Sequence, residues 1–136
     1  MLDGASNTIM IGELAGRNQL IRNSVAVAST NTSAIYQSKF GGGAWADPTN
    51  GTWQLTGRLY DGTSDRGPCA INCSNERAEA GHGDVSRWAA GLYSYHVGGA
   101  HVLLADGAVR FLSENLSGAV FVALISRASG ETVGEF

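Results

Sequence analysis

Residues 102–112 read Val-Leu-Leu-Ala-Asp-Gly-Ala-Val-Arg-Phe-Leu, two apolar runs joined by Asp106-Gly107. No other stretch constrains the fold as much, because it specifies an antiparallel β-hairpin. Asp-Gly suits a two-residue type I′ turn, in which both central residues take positive φ. Pairing outward from that turn sets 105 opposite 108, 104 opposite 109 and 102 opposite 111. One face then collects Val102, Leu104, Val109 and Phe111, an apolar surface that belongs in the core. The other face carries His101, Leu103, Ala105, Ala108, Arg110 and Leu112 and is partly wet.

A helix follows the hairpin. Ser117 caps its start, and it runs to about residue 129, where Gly130 stands at the position that ends helices. Leu116 and Phe121 fall at the two places of a hydrophobic staple. Val120, Leu124 and Ala128, with Phe121 and Ile125 beside them, form the buried stripe. Earlier in the chain, residues 8–13 read as a strand, residues 19–28 carry a β-prone piece, and residues 52–59 hold a short strand. Residues 29–83 are otherwise long polar loops pinned by Trp45, Trp53, Leu55, Leu59 and Tyr60. The expected class is α+β: an antiparallel sheet of about three to five strands, one C-terminal helix and long loops.

Composition agrees with this. At 136 residues and 43% apolar content the chain forms one domain spanning residues 1–136. Nineteen glycines argue against a helical bundle, since each internal Gly costs a helix about 1 kcal/mol. They follow no three-residue period and there are only two prolines, which excludes collagen. The net charge is −3 with no basic run, so a nucleic-acid partner is not expected. The longest apolar stretch, residues 119–125, is far short of the roughly 20 residues that span a bilayer. Met1 opens neither a basic start nor an apolar signal core, so the chain reads as cytoplasmic as expressed, or as one trimmed of its leader. Cys69 and Cys73 are too few for a disulfide scaffold and are not spaced like a zinc knuckle. A local disulfide between them suits an exported protein and not a cytosolic one.

The segment from Tyr95-His96 through Val97-Gly98-Gly99 to Asp106-Gly107 resembles a specific signature: His, nine residues, then Asp-Gly. That signature closes a large planctomycete family of prepilin-like proteins. Residues 3–13, 67–75 and 126–131 resemble three further motifs of that family, so the likeness covers nearly the whole chain. Two positions depart from its pattern: Val97 stands where Pro is usual, and Tyr95 where Phe is usual. The resemblance implies a globular head like that of type IV pilins and type II secretion pseudopilins, whose sheet packs against a long apolar N-terminal helix. It implies a periplasmic or cell-surface location. It also implies pilin-like subunits or secretion components as partners, if the parent protein carries that helix.

Candidate chemistry gathers around the histidines. His96 before the Gly98-Gly99 turn can fold back on the hairpin and meet a carboxylate, which makes His96, His101 and Asp106 candidate catalytic residues. The simpler reading makes Asp106 a turn residue and gives His96 a backbone partner. His82, Asp84, His96, His101 and Asp106 are also a potential metal set, but their spacing matches no zinc template. Calcium fits the sequence better: Asp61 and Asp65 on an irregular loop, with Asn75 and Glu76 following, offer hard oxygen donors. The resemblance to pseudopilins, many of which hold a calcium in a C-terminal loop, implies calcium as well. Ser94 and His96 share one side of a strand, but no Gly-x-Ser-x-Gly elbow accompanies them. Trp45, Trp53 and Trp88 could stack a sugar, although tryptophans more often plug loops. Two functions follow as expectations. The first is a structural or assembly module of an extracytoplasmic pilus-like or type II secretion system, stabilised by calcium. The second is a calcium-type, divalent-metal-dependent hydrolase of esters or lactones on the same scaffold.

Overall fold

The computed structural model describes residues 4–16, 19–27, 54–63, 67–76, 78–79 and 88–126. Asp65, His82, Asp84, Trp45, Trp53, Ala128 and Gly130 lie outside the described residues. A single 3₁₀ turn, Ala5–Asn7, leads into β1 (Ile9–Gly12), and β2 (Ile21–Arg22) and β3 (Val25–Ala26) form a two-stranded ribbon. Next come β4 (Gln54–Leu55), β5 (Ala78–Glu79) and β6 (Trp88–Ala90), ordered β4-β6-β5 with β4 parallel and β5 antiparallel to β6. The main sheet is β1-β7-β8, with β7 (Gly99–Leu104) and β8 (Val109–Ser113) both antiparallel to their neighbours. Helix α1 (Gly118–Ile125) follows. The α+β class stands.

The β7–β8 hairpin forms where expected but in a different register. Leu103 faces Val109, Val102 faces Arg110, His101 faces Phe111 and Ala100 faces Leu112. The turn explains the slip. The Gly107 N–H donates to the Leu104 carbonyl at 3.0 Å, and the Leu104 N–H donates to the Ala108 carbonyl at 2.9 Å. Within this turn, positive φ is confined to Gly107, at 90°. This is a three-residue loop closed by a glycine bulge, not a two-residue I′ turn. One extra loop residue moves β8 by one position, which turns all of its side chains over. Leu112 is therefore buried with Ala100, Val102 and Leu104, while Val109 and Phe111 face outward, 65% and 43% exposed. The successive positive φ values that an I′ turn needs occur instead at Asn23 (47°) and Ser24 (62°), between β2 and β3.

The core joins the inner face of the sheet to the helix and to two loop segments. Ala100, Val102, Leu104 and Leu112 pack with Phe121 and Leu124 of α1 and with Ile71 and Leu92. Each fully buried Leu contributes about 1.5–3 kcal/mol relative to exposure. Gly12 of β1 lies against this layer, where a Cβ would meet the end of the Leu92 side chain. Ser117 caps α1 as expected, its Oγ accepting the Val120 N–H at 3.3 Å. The helix ends earlier than expected. Ser126 takes an extended conformation (φ −73°, ψ 151°), so the stop comes at this serine, ahead of any cap at Gly130. Ile125 also leaves the expected stripe and is exposed, while Ala123 joins the buried side.

Single bridges hold the loops. Ile71 pairs with Leu92, Arg58 with Cys69, Arg22 with Ser74 and Leu14 with Tyr93. A disulfide joins Cys69 to Cys73 around this buried segment.

Candidate metal centre

Glu13, His96 and His101 come from three separate segments and meet on the outer face of the main sheet. Glu13 follows β1, and its backbone N–H donates to the His101 carbonyl at 3.2 Å, continuing the β1–β7 ladder. Its carboxylate turns back to the same residue, with Oε2 accepting the His101 N–H at 3.0 Å. The Tyr93 N–H donates to the Glu13 carbonyl at 3.0 Å and fixes its other side. His101 sits inside β7 on the outward side, its ring edge-on to Phe111 with centroids 5.1 Å apart. His96 lies in the turn before β7. That turn is tied by Ser94 Oγ, which accepts the His96 N–H at 2.9 Å, and by Asn72 Oδ1, which accepts the Ser94 N–H at 2.9 Å. Asn72 also donates to the Gly99 carbonyl at 3.2 Å.

The result is a carboxylate flanked by two imidazoles. Glu13 Oε1 lies 3.8 Å from His96 Nε2, and Glu13 Oε2 lies 3.8 Å from His101 Nδ1. The two rings stand nearly perpendicular, 81° apart, with centroids separated by 4.7 Å. One donor atom from each residue falls within 4.8 Å of the other two. Both histidine side chains are about half exposed, so an ion or small molecule reaches them without a conformational change. Beside His96 opens a cleft lined by Gln19, Ile21, Ser24, Asn72, Tyr95 and Glu114.

The structure thus brings His96 and His101 together with a carboxylate, and that carboxylate is Glu13. Asp106 stays at the hairpin tip, about 15 Å along the strand from His101, and its Oδ1 accepts the Ala108 N–H at 2.9 Å. Ser94 Oγ accepts the His96 backbone N–H, and among the described residues no imidazole is its hydrogen-bond partner. Asp61 folds into its own turn, Oδ1 accepting the Thr63 N–H at 2.8 Å and its hydroxyl at 2.6 Å. Those two bonds hold the Asp61 carboxyl below its ordinary value of 3.8. Asn75 is buried, with its Oδ1 on the Ile21 N–H and its Nδ2 donating to the Gly16 and Gln19 carbonyls. Glu76 is buried with its carboxylate on Arg22 at 2.6 Å. The oxygen donors expected for calcium at these two positions are therefore engaged within the protein. Glu13 is the residue that sequence reasoning missed. It ends the strand read at residues 8–13, and only the pairing of that strand with β7 places it opposite His101.

Fold and site together define an α+β domain with a partly exposed Glu-His-His cluster on its sheet. The chain belongs to the DUF1559 family, described as proteins of unknown function, whose model matches residues 1–118. No curated protein matches the chain. No solved structure matches it either.

Proposed function

We propose that this chain is a structural or assembly module of an extracytoplasmic pilus-like or type II secretion pseudopilus system. The outer face of β1-β7-β8 carries the reading. Ile11 (59% exposed), Val109 and Phe111 stand there in the open, with Leu103 half-buried between the first two. A contiguous apolar surface on a sheet marks a contact site. The resemblance to prepilin-like proteins supplies its occupant, an apolar helix of a pilin-type subunit. The Cys69–Cys73 disulfide supports an oxidising, extracytoplasmic setting. The test is binding of a synthetic pilin-type N-terminal helix, held in detergent micelles, to the full chain. Binding that Ile11→Asp and Val109→Asp each weaken at least tenfold supports the reading. Binding indifferent to both, or none at all, removes it.

The Glu13, His96 and His101 cluster, with its cleft, favours a second reading: a divalent-metal-dependent hydrolase of esters or lactones. Turnover on a panel of such substrates, lost with a chelator and with His96→Ala, would establish it over the assembly role.

A further inference from the structure

We propose that Glu13, His96 and His101 form a binding site for a divalent transition-metal ion of the zinc class. The site does not depend on whether the chain turns over a substrate or docks a helix. Two observations set the distance scale. Zinc–nitrogen bonds of about 2.0–2.1 Å place neighbouring ligand atoms of a tetrahedral site about 3.3 Å apart. A different carboxylate oxygen lies 3.8 Å from each imidazole nitrogen, and one donor atom from each residue lies within 4.8 Å of the other two, so side-chain adjustments of up to about 1.5 Å close the site. The half-exposed rings leave room for that movement.

Donor chemistry chooses the ion. Two imidazole nitrogens and one carboxylate suit zinc, copper, nickel or cobalt. Calcium and magnesium require oxygen donors, and two of the three donors here are nitrogen. Three protein ligands leave a coordination position open, the arrangement of a site that takes water or a further ligand. The surroundings are those of a positioned set. The Glu13 carboxylate is held by the His101 N–H, the His101 ring is backed by Phe111, and the backbone of His96 is fixed by Ser94. Such outer partners keep first ligands in place before the metal arrives.

The experiment is calorimetric titration of the full chain, free of added histidines and stripped with a chelator, with zinc, cobalt and calcium chlorides separately. The expected result is one zinc per chain, a visible cobalt spectrum of low coordination number, and no calcium heat at the same concentrations. Glu13→Gln, His96→Ala and His101→Ala each weaken zinc at least 30-fold, while His82→Ala leaves it unchanged. If a variant fails to fold, X-ray absorption of the zinc-loaded unmodified chain decides. Two imidazoles and one carboxylate around zinc uphold the site. Absent zinc binding, binding unaffected by the three substitutions, a dependence on His82, or calcium bound as tightly as zinc would each overturn it.

Discussion

Asn75 and Ile21 are joined in both directions: Asn75 Oδ1 accepts the Ile21 N–H at 2.9 Å, and the Ile21 carbonyl accepts the Asn75 N–H at 3.3 Å. The two residues are 54 positions apart in the chain. From the same side chain, Nδ2 donates to the Gly16 and Gln19 carbonyls at 2.7 Å each. One amide, 1% exposed, thus serves as acceptor to the first residue of β2 and as donor to the backbone just before it. No other residue of this size offers both roles in fixed geometry.

Replacing Asn75 leaves those backbone groups buried without their partner. Asn75→Ala is expected to cost about 2–4 kcal/mol, read from urea midpoints. Asn75→Asp places a carboxylate against two carbonyl oxygens, which raises its folded-state pKa above the unfolded value near 3.9. The extra penalty is then absent well below about pH 4, grows as pH rises from the unfolded pKa to the raised folded pKa, and stays constant above it. An Asn75→Asp protein equally stable at pH 4 and pH 7 would contradict this.

The hairpin turn makes a separate prediction. Gly107→Ala forces a side chain into the left-handed region and is expected to cost about 1–2 kcal/mol, although open space surrounds the position. Asp106→Ala removes the bond to the Ala108 N–H and costs about 1 kcal/mol, whereas Asp106→Asn retains it. Thermal melts of the three variants should rank in that order.

The Cys69–Cys73 disulfide closes a short loop, with only four positions separating its ends. The chain-entropy relation assigns it about 2 kcal/mol. Reduction, or the double Cys→Ser variant, should lower Tm by several degrees and leave the protein folded. Complete unfolding on reduction would show that the bond does more than restrict the unfolded chain.

Asp61 gives a pH signature. Its carboxyl is held low by the Thr63 hydroxyl and N–H, so its contribution is present above the unfolded pKa and is lost as pH falls through the lower folded value. Carboxyl ¹³C titration should place the Asp61 midpoint below 3.8, and Thr63→Val should move it back toward that value.

Much of this architecture was legible. The strand at residues 8–13, the hairpin and the Ser117 cap each declare themselves through a local pattern with a local physical cause. The hairpin register was not legible, because Asp106-Gly107 serves a two-residue turn and a three-residue turn alike. Choosing wrongly between them exchanges Phe111 for Leu112 in the core. The helix end was missed because an extended Ser126 needs no glycine. Glu13 was invisible as a partner of His101, since the two lie 88 positions apart and meet only through β1–β7 pairing. Asn75 and Glu76 look like free oxygen donors until the fold buries them against Ile21 and Arg22.

The assembly reading rests on the outer sheet face being a contact surface, and site-specific fluorescence tests it. An environment-sensitive dye is attached at Phe111→Cys on the face and, as a control, at Val97→Cys in a turn where the native residue is 98% exposed. Each labelled chain is mixed with the pilin-type helix in micelles. A blue shift is expected at position 111 and none at position 97. Unchanged emission at 111, or equal shifts at both positions, would contradict it.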